Sequence, residues 1–129
     1  MRYLFLLYGD EQAEQSAGED ELKRIVAAHG EFSAGLRAAG KLVTGAGLEA
    51  SSTATVVRRD TEGADSLDAS RPGLGTFADQ VTDGPYAETR EQIGGLYLVD
   101  CDDLDDALDV ARRIPYSPGL MIEVRPAPY

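Results

Sequence analysis

The sequence predicts an α+β fold in which one antiparallel sheet carries two helices and a hairpin is inserted between its halves. Three observations predict it. Apolar runs of strand length recur near both ends and in the middle of the chain. Two stretches with apolar residues at helical spacing lie between them. A pair of short β-branched runs flanks a polar segment at the centre. A chain of 129 residues fits a single domain with one core, spanning 1–129.

Arg2–Tyr8 (RYLFLLY) is apolar on both alternating faces, Tyr3, Phe5 and Leu7 against Leu4, Leu6 and Tyr8. A strand of that kind is covered on both sides. Residues 10–18 read as a polar loop. A helix is expected from about Glu19 to Ala39. Its acidic start suits the N-terminal end of the helix dipole, and Gly40 suits the cap. Leu22, Ile25, Phe32 and Leu36 form its sheet-facing stripe. Lys41–Thr44 is the second strand, and Gly45–Ser52 reads as a glycine-bearing turn.

Thr53–Arg58 and Phe77–Thr82 are the two arms of the hairpin. The segment 59–76 between them, rich in Gly, Asp and Ser, is expected to be a mobile surface loop. Leu96–Cys101 is the next core strand. Asp102 or Asp103 caps a second helix with Leu104, Ala107, Leu108 and Ala111 on its buried side, and Pro115 stops it. Leu120–Arg125 is the last strand.

This order is the split βαβ, ferredoxin-like plan with an antiparallel sheet and an inserted hairpin. Two helices cover one face of such a sheet. The first strand is apolar on both faces, and Tyr97, Val99 and Met121 are expected on the uncovered side. An apolar face of that size is covered by a second subunit, so the pattern predicts a homodimer packed sheet to sheet.

Twelve basic against 23 acidic side chains give a net charge of −11. That argues against nucleic acid, whose binding is driven by Lys and Arg. The start, MRYLFLLYGD, is too short for a signal peptide or a membrane span. Cys101 is the only cysteine, so no internal disulfide forms. Together these read as a cytoplasmic protein without a membrane partner. At its strand end Cys101 is expected to be a small buried hydrophobe. One histidine and one buried thiol make no metal site, and no cofactor is expected. GAGLEA at 45–50 has the loose form of a dinucleotide fingerprint, but β-branched residues follow where that motif needs a helix.

His29, the only histidine, falls on the sheet-facing stripe. There it can act as an acid or base near neutrality, or be a hydrogen-bonded core residue without chemistry. VTDGPYAETREQIGG (81–95) is the other candidate. Asp83 favours a turn, Gly84 before Pro85 is expected to be extended, and Gly94-Gly95 allows close approach on re-entry to the sheet. As turn chemistry the stretch is self-sufficient. As a site it brings Asp83, Tyr86, Glu88 and Arg90 to the cavity of His29.

VTDGPYAETREQIGGLYLVDC resembles the signature of the DGPF-domain branch of the YCII-related proteins, with Tyr86 where that motif usually has Phe. AAGKLVTGAGLEASSTATVV, DLDDALDVARRIP and IEVRP also look like family segments, so the likeness covers nearly the whole chain. The resemblance implies a ferredoxin-like dimeric α+β barrel and a histidine–aspartate catalytic pair. By position His29 matches the histidine. KLVTGAGLEASS holds no aspartate, and Asp83 is the substitute. The resemblance also brings in a link, in some relatives, to sigma factors of transcription.

Two functions follow as expectations. One is a cofactor-independent enzyme acting on a small cyclic or aromatic acid. His29 and Asp83 would be catalytic, with Arg58, Tyr86, Glu88, Arg90 and Tyr97 as binding residues. The other is a non-catalytic ligand- or protein-binding module connected with sigma-factor regulation.

Overall fold

Strand β1 (Arg2–Asp10) forms the middle of a four-stranded sheet whose order is β2 (Leu42–Gly47), β5 (Glu91–Asp100), β1, β6 (Met121–Pro126). Every neighbouring pair in it is antiparallel. The computed structural model describes residues 1–59 and 79–129. The chain divides into two units, Met1–Glu49 with Thr89–Tyr129, and Ala50–Glu88. The sheet belongs to the first unit, with helices α1 (Glu11–Ser16), α2 (Glu19–Ala38) and α3 (Leu104–Arg112). This is an α+β architecture, compatible with the ferredoxin-like plan.

The core lies on one face of the sheet. Tyr3, Phe5 and Leu7 of β1 and Tyr97 and Val99 of β5 are buried there with Leu36 of α2, Ala107, Val110 and Ala111 of α3, and Ile114. Tyr97 and Val99, expected on the uncovered side, are therefore inside: Tyr97 pairs with Phe5 and Val99 with Tyr3. The strand is apolar at successive positions, so its pattern alone does not choose the inner face. The outer face instead carries Leu4, Leu6 and Tyr8, with Leu96 and Leu98 beside them, all half-buried. Met121 stands there as expected, across from Tyr8.

The helix ends follow their sequence signals. Three acidic residues open α2, and Gly40 past its end has φ of +71°, the left-handed conformation that glycine adopts without strain. The backbone N–H groups of Gly40 and Lys41 then bond the carbonyls of Arg37 and Leu36. Asp103 caps α3 by accepting from the Asp106 N–H at 2.8 Å. Lys41 Nζ donates to both Asp106 carboxylate oxygens, at 2.7 and 3.0 Å, and holds the Asp106 pKa below its usual value. Cys101 is buried, and burial pushes its thiol pKa up.

Four elements depart from expectation. Residues 10–18 contain a helix, because the Asp10 side chain caps α1 by accepting from the Ala13 N–H. The first three residues of the glycine turn expected at 45–52 continue β2, with Gly45 paired to Tyr97 and Gly47 to Gly95. β5 begins five residues before Leu96, and its glycines fall at a bulge: Leu7 pairs with Gly95 and Tyr8 with Ile93, leaving Gly94 between. Leu104, the first residue of α3, is exposed and Leu108 half-buried, while Val110 is fully buried.

The second unit holds a 3-10 turn (Ser51–Thr53) and a hairpin of β3 (Thr55–Arg59) and β4 (Asp79–Asp83), paired from Thr55–Asp83 to Arg59–Asp79. Apart from Arg59, the loop expected at 59–76 lies outside the described residues, as does the expected strand start at Phe77.

Candidate functional site

Of the residues of α2 only Leu36, near its C-terminal end, is fully buried. Further toward the N-terminus the helix stands over Gly45, Ala46 and Gly47 of β2 and Gly94 and Gly95 of β5, residues too small to fill the space beneath it. A cavity of about 620 Å³ remains. That is the size of a small-molecule site. His29, Ser33 and Arg37 line it from α2, Tyr97 from β5, Glu14 from α1 and Ser117 from the segment before β6.

His29 Nδ1 lies 2.7 Å from the Tyr97 hydroxyl. The two rings are stacked, 6.0 Å between centroids and 16° between planes. Phe32 meets Tyr97 edge-on, at 5.2 Å and 72°. Tyr97 is thus clamped between two α2 side chains one helical turn apart. Beneath its ring Gly45 supplies clearance, since a Cβ there would lie 2.8 Å from Tyr97 Cδ1 and the ring would have to shift. Burial lowers the His29 pKa, which favours the neutral imidazole.

A neutral imidazole with one nitrogen held in a hydrogen bond can work in either direction. With a proton on Nδ1 it donates to the Tyr97 oxygen, and Nε2 is a base. With Nδ1 bare, the Tyr97 hydroxyl donates to it and Nε2–H is an acid. Tyr97 therefore fixes the ring while leaving the tautomer free to change.

Glu14 closes another part of the wall. Its carboxyl oxygen packs over Gly9 so closely that a Cβ there would have to push it aside. Burial raises its pKa, and the charges of Glu11 and Asp10 raise it further. Sequence reading missed Glu14, because its helix was read as a loop. Arg37 was within reach, since it lies on the turn after Ser33, itself one turn beyond His29.

The other expected site residues are placed as follows. Arg90 is in the first unit, where Nε donates to Asp10 at 2.9 Å; it is not among the residues lining the cavity. Arg58, Asp83, Tyr86 and Glu88 belong to the second unit. Arg58 lies across from Gln80 on the hairpin, and Asp83 ends β4 opposite Thr55. Gly84 is not extended; its φ is +100°, which only glycine adopts freely, and its N–H bonds the Ala54 carbonyl at 2.7 Å. Tyr86 is 86% exposed. Among the described residues no group of three or more His, Cys, Asp or Glu side chains is placed to hold a metal ion, and no helix is long and apolar enough to cross a membrane.

The YCII-related domain matches residues 1–126 of this chain. The chain belongs to the YCII-related family. It is also 33% identical over 114 residues to an uncharacterized protein of Rhizobium meliloti (strain 1021), a similarity covering 88% of this chain and 80% of that one. Within this YCII-related chain the histidine of α2 is paired with a tyrosine hydroxyl of the sheet.

Proposed function

We propose that this YCII-related protein binds a small cyclic or aromatic acid in the cavity between α2 and the sheet and acts on it without a cofactor, with His29 as acid and base. The observation that carries the reading is the contact between His29 and Tyr97 in the cavity wall. It supplies an oriented imidazole kept neutral by burial, the state a general base needs. Leu22, Ile25 and Leu120 offer apolar surface for a ring, and Arg37, the one Arg or Lys among the described lining residues, offers an anchor for a carboxylate.

The chemistry this favours is proton removal next to a carbonyl or carboxylate, with the proton held on His29 and returned at the same or a neighbouring atom. We further infer that the protein is a homodimer. Its support is the outer sheet face of Leu4, Leu6, Leu96 and Leu98, opposite the face on which the described helices α2 and α3 pack. The DGPF-branch likeness rests on residues 81–101 and adds the same barrel-like dimer.

A thermal-shift screen of small acids with benzoate as the reference tests the site. Benzoate is expected to raise the melting temperature and to shift the ring resonances of His29, which are unambiguous in a chain with one histidine. His29→Ala should remain folded and lose both responses. If no acid shifts either readout, the reading fails.

A further inference from the structure

The same cavity holds a second ionisable group whose chemistry complements the first. Glu14 projects from α1, a helix fixed at its start by the Asp10 cap, and its carboxyl is seated on the bare backbone of Gly9. Among the described residues no side chain donates a hydrogen bond to it. The charges acting on it are those of Glu11 and Asp10 on its own side, with Asp10 already paired to Arg90; His29 and Arg37 from α2 and Tyr8 and Tyr97 from the sheet are the other ionisable groups lining the cavity. The segment before β6 adds Ser117 and the Pro118 carbonyl, neither of which titrates.

We propose that Glu14 is the ligand-contacting carboxyl of this cavity, presenting a proton to the carboxylate of a small aromatic or cyclic acid whose ring lies against Leu22, Ile25 and Leu120. This rests on the reading of the cavity as a small-acid site and names how that acid is held. Two carboxylates cannot share a site while both are ionised. One proton taken from solvent with each ligand resolves the conflict: the ionised Glu14, a proton and the ligand anion combine into a carboxyl–carboxylate hydrogen bond, and the charge-assisted bond is short and strong. No bond to carbon is made or broken in this step. The upward pKa shift of free Glu14 runs in the same direction, because its surroundings already favour the protonated form. The ligand anion extends that preference, so binding takes up protons and tightens as pH falls.

The test is benzoate binding to the full chain, followed by the His29 ring resonances and by calorimetry at about pH 5.5 and about pH 7.5, both above the ordinary range of a benzoic acid. In the wild type the dissociation constant is expected to rise at least about threefold from the lower to the higher pH. Glu14→Gln, a permanent neutral donor of the same shape, should lose most of that difference and bind at the higher pH about as well as the wild type does at the lower. Gly9→Ala is the second variant: its methyl group displaces the Glu14 carboxyl and should reduce the pH dependence without removing the carboxyl from the chain. If Glu14→Gln and Gly9→Ala both keep the wild-type pH dependence, the role of Glu14 is overturned and the His29 site stands. If the wild type binds no benzoate at either pH, both readings are overturned.

Discussion

Tyr97 and His29, 68 residues apart in sequence, meet at 2.7 Å between hydroxyl and Nδ1 with their rings stacked. The contact ties α2 to β5, an inner strand of the sheet. The hydroxyl that anchors the helix also orients the imidazole of the proposed site, in either tautomer.

Tyr97→Phe removes the hydroxyl and keeps the ring. Phe32 and the sheet still hold that ring, so the fold is expected to survive with a loss of about 0.5–1.5 kcal/mol, the net value of one such hydrogen bond. Urea denaturation measures the loss. The His29 ring resonances should move and broaden as the imidazole gains freedom. An unchanged His29 spectrum would show that the hydroxyl does not set the ring.

The pKa directions at the two cavity groups give opposite pH dependences. His29 is lowered from its ordinary value of 6.5 by burial. Its contribution to stability is present above that value and is lost as pH falls through the lowered folded value. Glu14 is raised from its ordinary value of 4.5, chiefly by burial. Its contribution is present below that value and is lost as pH rises through the raised one. Urea midpoints measured from about pH 4 to about pH 8 should therefore lose their low-pH decline below 6.5 in His29→Gln, and lose the decline above 4.5 in Glu14→Gln. A wild-type profile that neither substitution alters would contradict both directions.

α2, α3 and the apolar strands were legible because they carried local signals: acidic starts, a capping aspartate at Asp103, glycine after α2, apolar runs of strand length. The inner face of β5 was not. Leu96, Tyr97, Leu98 and Val99 are all apolar, and only pairing with β1 decides which alternate set is buried. α1 was hidden because five polar residues and one alanine form a helix there through one cap. At the site, the stripe on α2 pointed His29 at the sheet. Its partner could not be read, since contacts across 68 residues are set by strand register, and Gly45 looked like a turn when it was clearance for a ring.

Gly45→Ala tests that clearance. The added methyl would meet Tyr97 Cδ1 at 2.8 Å and Cε1 at 3.1 Å, and the Leu96 carbonyl oxygen at 3.3 Å. The ring must move, and the cost expected from overpacking is about 1–3 kcal/mol. Because Tyr97 carries the His29 contact, the substitution should also perturb the His29 resonances although residue 45 does not touch the imidazole. Gly47→Ala is the control, since a methyl there meets nothing within 4 Å. It should leave both the stability and the His29 signals close to wild type. Equal effects at the two positions would refute the assignment.

The two faces of the sheet separate folding from association. Val99 is fully buried between the sheet and the helices, so Val99→Asp places a charge in the core and should prevent folding, a loss beyond about 4 kcal/mol. Leu6 lies on the other face, half-buried and beyond the reach of α2 and α3, across from Leu96 and Glu123. Within one chain Leu6→Glu can send its carboxylate to water, so the subunit should stay folded by circular dichroism. In a sheet-to-sheet dimer the same charge would be trapped between two apolar faces, in an interface that must bury about 1,200–2,000 Å² to be stable. Light scattering should therefore give twice the chain mass for the wild type and a folded particle of one chain mass for Leu6→Glu. A wild-type monomer at micromolar concentration would remove the dimer. A variant that remains dimeric would place the interface on another surface.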